Sequence, residues 1–377
     1  MTAERLAFGG ACVGRHEGLA VFVPFAAPGD RVIARIETVE QNRATARLER
    51  VLEPSSHRRE ARCRHFGDCG GCHFQHVDYE AQLEAKRTFV EDALARIGGI
   101  EDAGEIPIES AAEWRYRSRT QLKVKGRHLG FNRAFSHDVV DVVECPVMAE
   151  DLEAHLAALR ETIAALPRAD LPYQVDGACG LEGASFAPDM PGVRKDLVTH
   201  EVLGFRYLIE PESFFQGNRH LVARLVEGAV GGEGGGTAYD LYAGVGLFTL
   251  PLSTRFERVE AVEDERRAAT LGRVNAKLNG RDNVAYFRRT TEQFLAGGRP
   301  TPDLVLMDPP RLGAKPVIPA LVALHAPRIV YVSCDPNTLA RDLARLREGG
   351  YRIESVAAFD MFPQTYHVEC VAKLALR

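Results

Sequence analysis

The 377-residue chain contains no apolar run near the roughly 18 residues that a membrane span requires. Its N-terminus carries Glu4 and Arg5 and lacks the apolar stretch of a signal peptide. These two absences predict a cytoplasmic protein without a membrane partner. Apolar residues make up 45% and charged residues 26% of the chain. That composition excludes a disordered or fibrous protein and predicts about two or three globular domains.

Lysine is scarce: the chain has 7 lysines against 40 arginines, and its formal net charge is −5. A protein with net negative charge is no general binder of polyanions, so any nucleic-acid surface has to be local. An excess of arginine over the whole chain is typical of proteins from GC-rich genomes. Only local clusters of arginine therefore count as a functional signal.

Glycine and proline divide the first part of the chain into short β-forming runs. These runs span Leu19 to Phe25, Val32 to Val39 and Ala44 to Val51. Several short strands at this spacing predict a small β-barrel of the OB-like type, which we assign to residues 1–55.

The pattern then changes to a mixture of helix and strand, which predicts a central α+β domain over residues 56–215. A cysteine-bearing loop precedes an amphipathic helix predicted from Tyr79 to Ile97, and Gly98 and Gly99 end it. A second amphipathic helix is predicted over about residues 150–166.

From residue 216 to the end, short apolar strands alternate with helices. This alternation predicts the α/β fold class, with a mostly parallel, doubly wound sheet of the Rossmann-like type over residues 216–377. The predicted strands are 238–242, 258–263, 284–288, 304–307, 329–333 and a final pair.

The turn after the first of these strands carries Asp240, Tyr242, Gly244 and Gly246. Glycines let the backbone pass close to a ligand at the electropositive start of a helix. Glu263 ends the next strand, where a carboxylate can bind both hydroxyls of a ribose. Because the dinucleotide pattern is incomplete, the turn favours S-adenosylmethionine over NAD, and a ligand-free turn is the third alternative.

Asp308, Pro309, Pro310 and Arg311 follow the fourth strand, at the edge where open sheets bind ligands. An aromatic residue in the fourth position is the mark of methyltransferases that act on exocyclic amines. Arg311 stands there instead, which argues against stacking of an amine-bearing base. A proline-rich turn without a ligand is the structural alternative.

Cys334 follows the fifth strand, and Glu369 lies in the last strand. Pro336 ends the fifth strand and Asn337 can cap the following helix. Taken alone, a cysteine at a strand end is usually a small core residue, and Glu369 fits a solvated strand position. Beside a methyl donor, the two residue types fit methylation of uracil at C5. A thiolate that adds to C6 makes C5 nucleophilic, and a base then removes the C5 proton.

Three cysteines follow a C-x5-C-x2-C spacing, and a fourth cysteine lies far downstream before a proline; they are Cys63, Cys69, Cys72 and Cys145. Disulfides are not expected in the cytosol, and zinc sites generally pair two C-x2-C units. Three ligands in one loop and a remote fourth favour iron–sulfur ligation. Zinc and an incidental grouping are the alternatives.

The sharpest charge pattern runs from Trp114 to Arg127, where cations alternate with uncharged residues. The cations are Arg115, Arg117, Arg119, Lys123, Lys125 and Arg127. A period of two would place all six on one face of a strand. We predict that this face binds RNA, with Arg115, Arg117, Arg119 and Lys123 as the contacts; a solvated edge is the alternative.

Taken together, these motifs resemble the bacterial RNA 5-methyluridine methyltransferases over essentially the full length. These are iron–sulfur enzymes that act on ribosomal RNA or on the T-loop of transfer RNA. The resemblance implies an N-terminal TRAM domain, a 4Fe–4S cluster on the four cysteines, Cys334 as nucleophile and Glu369 as base. It also implies S-adenosylmethionine contacts at Gln216, Tyr242, Gly244, Gly246, Glu263 and Asp308.

One position departs from the family: Leu247 stands where many members carry an asparagine that touches the cofactor. Some relatives that act on transfer RNA lack the cysteine ligands, so their presence favours 23S ribosomal RNA, with transfer RNA as the alternative. We expect a monomer. The competing functions are a non-catalytic RNA-binding iron–sulfur protein and a methyltransferase for exocyclic amines. Cys334 and Glu369 beside the cofactor turn argue against the first, and Arg311 and the thiol against the second.

Overall fold

The structure is a computed structural model that describes all 377 residues. Its first sheet has five strands in the order β1-β2-β3-β5-β4. The strands are β1 (Ala3–Leu6), β2 (Ala11–His16), β3 (Leu19–Pro24), β4 (Arg31–Val39) and β5 (Arg43–Glu53). A backbone bridge between Thr2 and Arg31 joins the two ends of the sheet. The predicted β-rich segment is confirmed, and its OB-like topology stays a prediction.

Helix α1 (Tyr79–Arg96) follows the cysteine-bearing loop, as predicted. Asp78 starts it, because its carboxylate accepts a hydrogen bond from the Ala81 N–H. The next elements are β6 (Ile108–Glu109), β7 (Arg119–Lys125), β8 (His128–Asn132), β9 (Val139–Asp141), α2 (Glu150–Glu153), α3 (Leu156–Ala165), β10 (Gln174–Gly180), β11 (Gly183–Ala187), β12 (Val198–Val202) and β13 (Phe205–Ile209). Five of these strands form an antiparallel sheet in the order β11-β10-β7-β8-β9, and β12 pairs with β13.

Residues 150–166 form two helices, so the prediction of a single helix is wrong there. His155 Nδ1 lies 2.7 Å from the Asp151 carbonyl oxygen, the group that would accept its backbone bond in a continuous helix. The His155 N–H turns to Leu152 instead, and a new helix starts at Leu156.

The rest of the chain alternates helices and strands: α4 (Val222–Val230), β14 (Gly235–Leu241), α5 (Thr249–Leu252), β15 (Phe256–Val262), α6 (Arg266–Leu278), β16 (Val284–Phe287), α7 (Thr291–Leu295), β17 (Leu304–Met307), α8 (Ile318–Leu324), β18 (Arg328–Ser333), α9 (Pro336–Glu348), β19 (Tyr351–Phe359) and β20 (Glu369–Leu376). The sheet order is β16-β15-β14-β17-β18-β20-β19-β6. The first five strands are parallel, and β20 is antiparallel to its neighbours β18 and β19. The predicted doubly wound α/β sheet is confirmed.

Earlier parts of the chain pack against this large sheet. Strand β6 pairs with β19 at the sheet edge, and α1 shares a buried apolar cluster with α9. The β12–β13 hairpin packs on the opposite face. The predicted domain limits at residues 55 and 215 stay predictions. Segments before residue 215 complete the hydrophobic core of the large sheet, so the core does not end at that limit. None of the helices is both long and apolar enough to cross a membrane.

Candidate active site

A groove of about 990 Å³ lies along the carboxyl ends of the parallel strands. Those strand ends meet at one edge of the sheet, and β20 contributes its first residue to the same edge because it runs the other way. The predicted site residues that line the groove are Gln216, Tyr242, Gly244, Glu263, Asp308, Cys334 and Glu369. Seven residues spread over more than 150 positions of sequence are thus brought together.

Cys334 and Glu369 lie opposite each other at this edge. Ser333 pairs with Cys370 across β18 and β20, so the next pair of positions outward is Cys334 and Glu369. Only 1% of Glu369 is exposed, which excludes the solvated strand position considered from the sequence. Its Oε1 atom is buried without a hydrogen-bond partner, a feature typical of a site that a proton or a ligand completes.

The half-buried Asp308 and the buried Glu369 form an interacting pair of carboxyl groups. Burial, opposed by a hydrogen bond from Gln216, raises the pKa of Asp308 to about 7. Burial first, and the charge of Asp308 second, raise the pKa of Glu369 well above its usual range. Because each charge disfavours the other, the pair holds a proton at neutral pH unless a cation enters the groove.

The surroundings of the Cys334 thiol favour its protonated form. Burial first, and then the Glu369 charge, raise its pKa to about 12, and the Arg311 guanidinium opposes them. Arg311 also lines the groove, with Nη2 3.4 Å from the ring nitrogens of His367. The sequence singled out Arg311 only because it replaces an aromatic residue, whereas the structure places its guanidinium in the groove wall, where its charge lowers the pKa of the thiol.

The helix after Cys334 begins with a different cap from the predicted one. Asp335, not Asn337, caps α9, because the Asp335 carboxylate accepts from the N–H groups of Asn337 and Thr338. This cap fixes the turn immediately after the thiol.

The cofactor turn is shaped by hydrogen bonds to Glu263. The Gly244 N–H donates to Glu263 Oε2 at 2.9 Å, and Glu263 Oε1 accepts from the Glu265 N–H at 2.8 Å. Gly246 is absent from the groove wall. A Cβ at Gly246 would come within 2.7 Å of the Tyr286 hydroxyl, and φ is +102° there, so this glycine serves the turn itself.

Leu247 is buried in the core beside this turn and does not line the groove. The side chain at this position therefore packs against the protein interior. Its carbonyl oxygen accepts a hydrogen bond from Tyr207 at 3.1 Å.

Carboxyl groups outnumber cations in the groove wall. The wall has six carboxyl groups and two guanidinium groups, an excess of four carboxyl groups; they are Glu212, Glu263, Asp264, Glu265, Asp308, Glu369, Arg267 and Arg311. Such a wall favours a ligand that carries positive charge.

The four predicted metal-ligating cysteines line one cavity away from this groove, together with Gln75 and Arg117. Burial first raises the pKa of Cys72 to about 12 and of Cys145 to about 11, and Arg117 lowers both. The structure contains no group of three or more His, Cys, Asp or Glu side chains that could hold a metal ion. The structure thus gathers the cysteines without showing a metal site.

The prediction of one unbroken cationic strand is wrong. Strand β7 covers only Arg119–Lys125, and Arg115 has a left-handed φ of 56° outside it. Burial still alternates with a period of two along β7, but the cations already bond to acceptors within the protein. Lys125 pairs with Asp138, and Arg127 donates to the Leu166 carbonyl oxygen at 2.6 Å.

The proposed RNA contacts in this segment have partners within the protein. Arg115 pairs with Glu153, Arg117 lies over the ring of Phe131, and Lys123 donates to Gln174. Arg119 donates to the Pro211 and Phe215 carbonyl oxygens, so it holds the chain just before Gln216. An RNA role for these four cations stays a prediction.

The sheet and the groove at its carboxyl edge define a Rossmann-like α/β enzyme with a ligand site among a thiol and paired carboxyl groups. Comparison with known proteins narrows this class. The family model described as tRNA (Uracil-5-)-methyltransferase matches residues 193–300 and 301–376, and the TRAM domain model matches residues 2–48.

Two relatives align over nearly the whole chain. An uncharacterized RNA methyltransferase of Aquifex aeolicus is 33% identical, over 100% of this chain and 98% of the relative. The 23S rRNA (uracil(1939)-C(5))-methyltransferase RlmD of Klebsiella pneumoniae is 34% identical, over 95% of this chain and 91% of the relative. The chain therefore belongs to the RNA uracil-C5 methyltransferase family.

A solved structure supports the same assignment. The Pyrococcus abyssi tRNA (uracil-54, C5)-methyltransferase, in complex with S-adenosyl-L-homocysteine, is 26% identical to this chain. The two superpose with a TM-score of 0.78 over 100% of each chain. The similarity thus covers the fold from end to end.

Proposed function

We propose that this enzyme transfers a methyl group from S-adenosylmethionine to C5 of a uridine in structured RNA. The observation that carries the proposal is the meeting of Cys334 and Glu369 in one groove with the cofactor-turn residues. S-Adenosyl-L-homocysteine, bound in the structure from P. abyssi, is what remains of that donor after transfer.

The groove suits S-adenosylmethionine in its charge. The donor carries a positive sulfonium, and the wall has an excess of four carboxyl groups. Glu263, beside the turn at Gly244, is the candidate for the ribose hydroxyls. Gln216 and Asp308, which both line the groove, are further candidates for cofactor contacts, together with Tyr242. Gly246 shapes the turn through its positive φ, and its contact with the cofactor stays a prediction.

Addition of the thiol to the uracil starts the chemistry we propose. The Cys334 thiol loses its proton to solvent, its sulfur bonds to C6, and the electron pair of the C5–C6 double bond moves toward C5 and O4, which makes C5 a nucleophile. Arg311 favours the thiolate, because its cation lowers the pKa of Cys334. S-Adenosylmethionine, when bound, supplies an electrophilic methyl group, which C5 takes.

Elimination then restores the base and the thiol. Glu369 accepts the C5 proton, the C6–S bond breaks, and Cys334 leaves with the electron pair of that bond. The raised pKa of Glu369 makes its carboxylate a strong base for a carboxyl group. Positive charge beside the carboxyl pair favours the ionised form that this step requires.

The proposed RNA is 23S ribosomal RNA, since the relative from K. pneumoniae, at 34% identity, is named for uracil 1939 of that RNA. Transfer RNA is the second candidate, because the structural neighbour from P. abyssi, at 26% identity, is named for uracil 54 of transfer RNA. The TRAM domain is a candidate contact with either RNA.

The reaction is tested with a 23S RNA hairpin that carries 5-fluorouridine at the position of uracil 1939. Fluorine at C5 cannot leave as a proton, so the wild-type protein with S-adenosylmethionine should form a covalent complex that survives a denaturing gel. A transfer RNA T-loop hairpin with 5-fluorouridine at position 54 is tested in parallel, and the amount of adduct is compared between the two RNAs. Absence of an adduct with both RNAs, in protein that binds them, contradicts a covalent C5 mechanism.

We also propose that Cys63, Cys69, Cys72 and Cys145 hold a 4Fe–4S cluster. Their shared cavity and all-sulfur donor set support it. These four residues would hold the cluster through their sulfur atoms. A bound cluster would tie the cysteine loop to the segment after β9.

Replacing Cys145 by serine tests the cluster. Anaerobically purified protein should be brown with about four irons per chain, as expected for four-cysteine ligation. Cys145→Ser should lose the colour and most of the iron and unfold at a lower temperature. Cys179→Ser, which changes another buried cysteine outside the cavity, is the control and should keep its iron. Stoichiometric zinc without iron in the wild type contradicts the proposal.

A further inference from the structure

A second cavity, of about 360 Å³, opens where three parts of the chain meet. The turns of the N-terminal sheet contribute Gly10 and Phe25 to its wall, and the cysteine loop contributes residues 70–73. Strands β7 and β8 and the turn after β8 form the third side. None of the steps proposed above uses this cavity.

The wall presents aromatic rings and cations together. Phe135 is 86% exposed, more than any other large apolar side chain. Lys123 lies on the same wall, and its Nζ is 5.1 Å from the ring of Tyr173, which is 78% exposed. Arg133 pairs only with Asp68 at the surface, a contact that phosphate can replace at little cost.

Two side chains separate this cavity from the catalytic groove. Tyr366 lines the cavity, and its ring centroid is 4.1 Å from that of His367. His367 in turn lies 3.4 Å from Arg311, which lines the groove. A nucleotide in this cavity therefore lies within reach of a neighbouring nucleotide in the groove.

We propose that this cavity binds a second unpaired nucleobase of the RNA, close in sequence to the target uridine, with the Phe135 ring as a stacking face. Proteins read folded RNA by splaying out bases of loops and stacking them on aromatic rings. Lys123 and Arg133 meet the flanking phosphates. The proposal rests on the RNA methyltransferase function, and it adds a determinant of which RNA loop is accepted.

The test measures binding of the hairpin that contains uracil 1939 to Phe135→Ala and to the wild type. Loss of one base–aromatic stack should weaken binding about 5- to 150-fold. Phe135→Trp should restore most of it. Leu181→Ala is the matched control, since Leu181 is 63% exposed and lies away from the cavity. S-Adenosylmethionine affinity should be the same in all four proteins.

Hairpins with one base removed at each loop position identify the nucleotide. At one position other than the target, removal of the base should weaken wild-type binding and abolish the effect of Phe135→Ala. The inference is overturned if Phe135→Ala binds like the wild type, if Phe135→Trp is as weak as alanine, or if every abasic RNA shows the same mutant effect. The 5-fluorouridine adduct of the wild type separates these failures from failure of the proposed function, because it reports the covalent chemistry whether or not Phe135 stacks on a base.

Discussion

Glu369→Gln should stop turnover and leave a methylated covalent complex on natural uridine RNA. Glutamine keeps the shape of the side chain but cannot accept the C5 proton. Addition of Cys334 to C6 and methyl transfer to C5 can still proceed, whereas elimination stalls. The complex should appear as a slow band on a denaturing gel, and mass spectrometry should find one added methyl group on the RNA.

The double variant Cys334→Ala with Glu369→Gln is the control, and its band should vanish because no sulfur is present to add. Cys334→Ala alone should still bind RNA and S-adenosylmethionine. Cys370→Ala changes the neighbouring buried thiol and should not remove the trapped complex. Turnover of Glu369→Gln at the wild-type rate means that another group removes the proton. If Glu369→Gln is inactive and forms no adduct, Glu369 is required before Cys334 adds to C6.

Lys86→Met should lower the free energy of unfolding by about 3–5 kcal/mol, the cost of leaving one partner of a buried ion pair uncompensated. Both Lys86 and Asp360 are fully buried and form an ion pair with each other. Lys86 Nζ also donates to the Phe362 carbonyl oxygen at 3.0 Å, and Tyr79 donates to Asp360 at 2.8 Å. Urea unfolding of the variant and the wild type measures the change.

Adding Asp360→Asn to Lys86→Met should recover much of the lost stability, because the buried negative charge is then removed as well. Arg31→Ala breaks an ion pair with Glu53 in which both side chains are more than half exposed, and it should have little effect. If the double variant loses as much free energy of unfolding as the two single variants together, Lys86 and Asp360 are not directly coupled.

The strands of the large sheet were predictable from the sequence, because strands buried on both faces are short apolar runs. Such runs can be recognised without knowledge of their tertiary contacts. The strand predicted at residues 304–307 has those limits in the structure. The sequence also predicted that the carboxyl ends of these strands would lie together, since parallel strands end at the same edge of a sheet. Cys334, Asp308 and Glu263 lie together for that reason.

Features that depend on distant partners were not predictable in the same way. Periodicity placed an apolar stripe on α1, but its buried face also contains Gln82 and Lys86. Lys86 is buried only because Asp360, 274 residues later, neutralises it. The prediction of free cations in the basic segment was wrong for the same reason. Alternation determines which side of the strand a cation lies on, but distant groups such as Asp138 or a backbone carbonyl determine whether the cation is free to bind RNA.

The two-residue strand β6 has a consequence for shortened forms of the protein. It covers the open edge of β19, and α1 covers apolar side chains of α9 on the same side of the sheet. A fragment that starts at residue 216 would leave unpaired backbone groups beside an uncovered apolar patch, the combination that promotes edge-to-edge aggregation. The residues from 216 onward consequently require the segments before them for solubility.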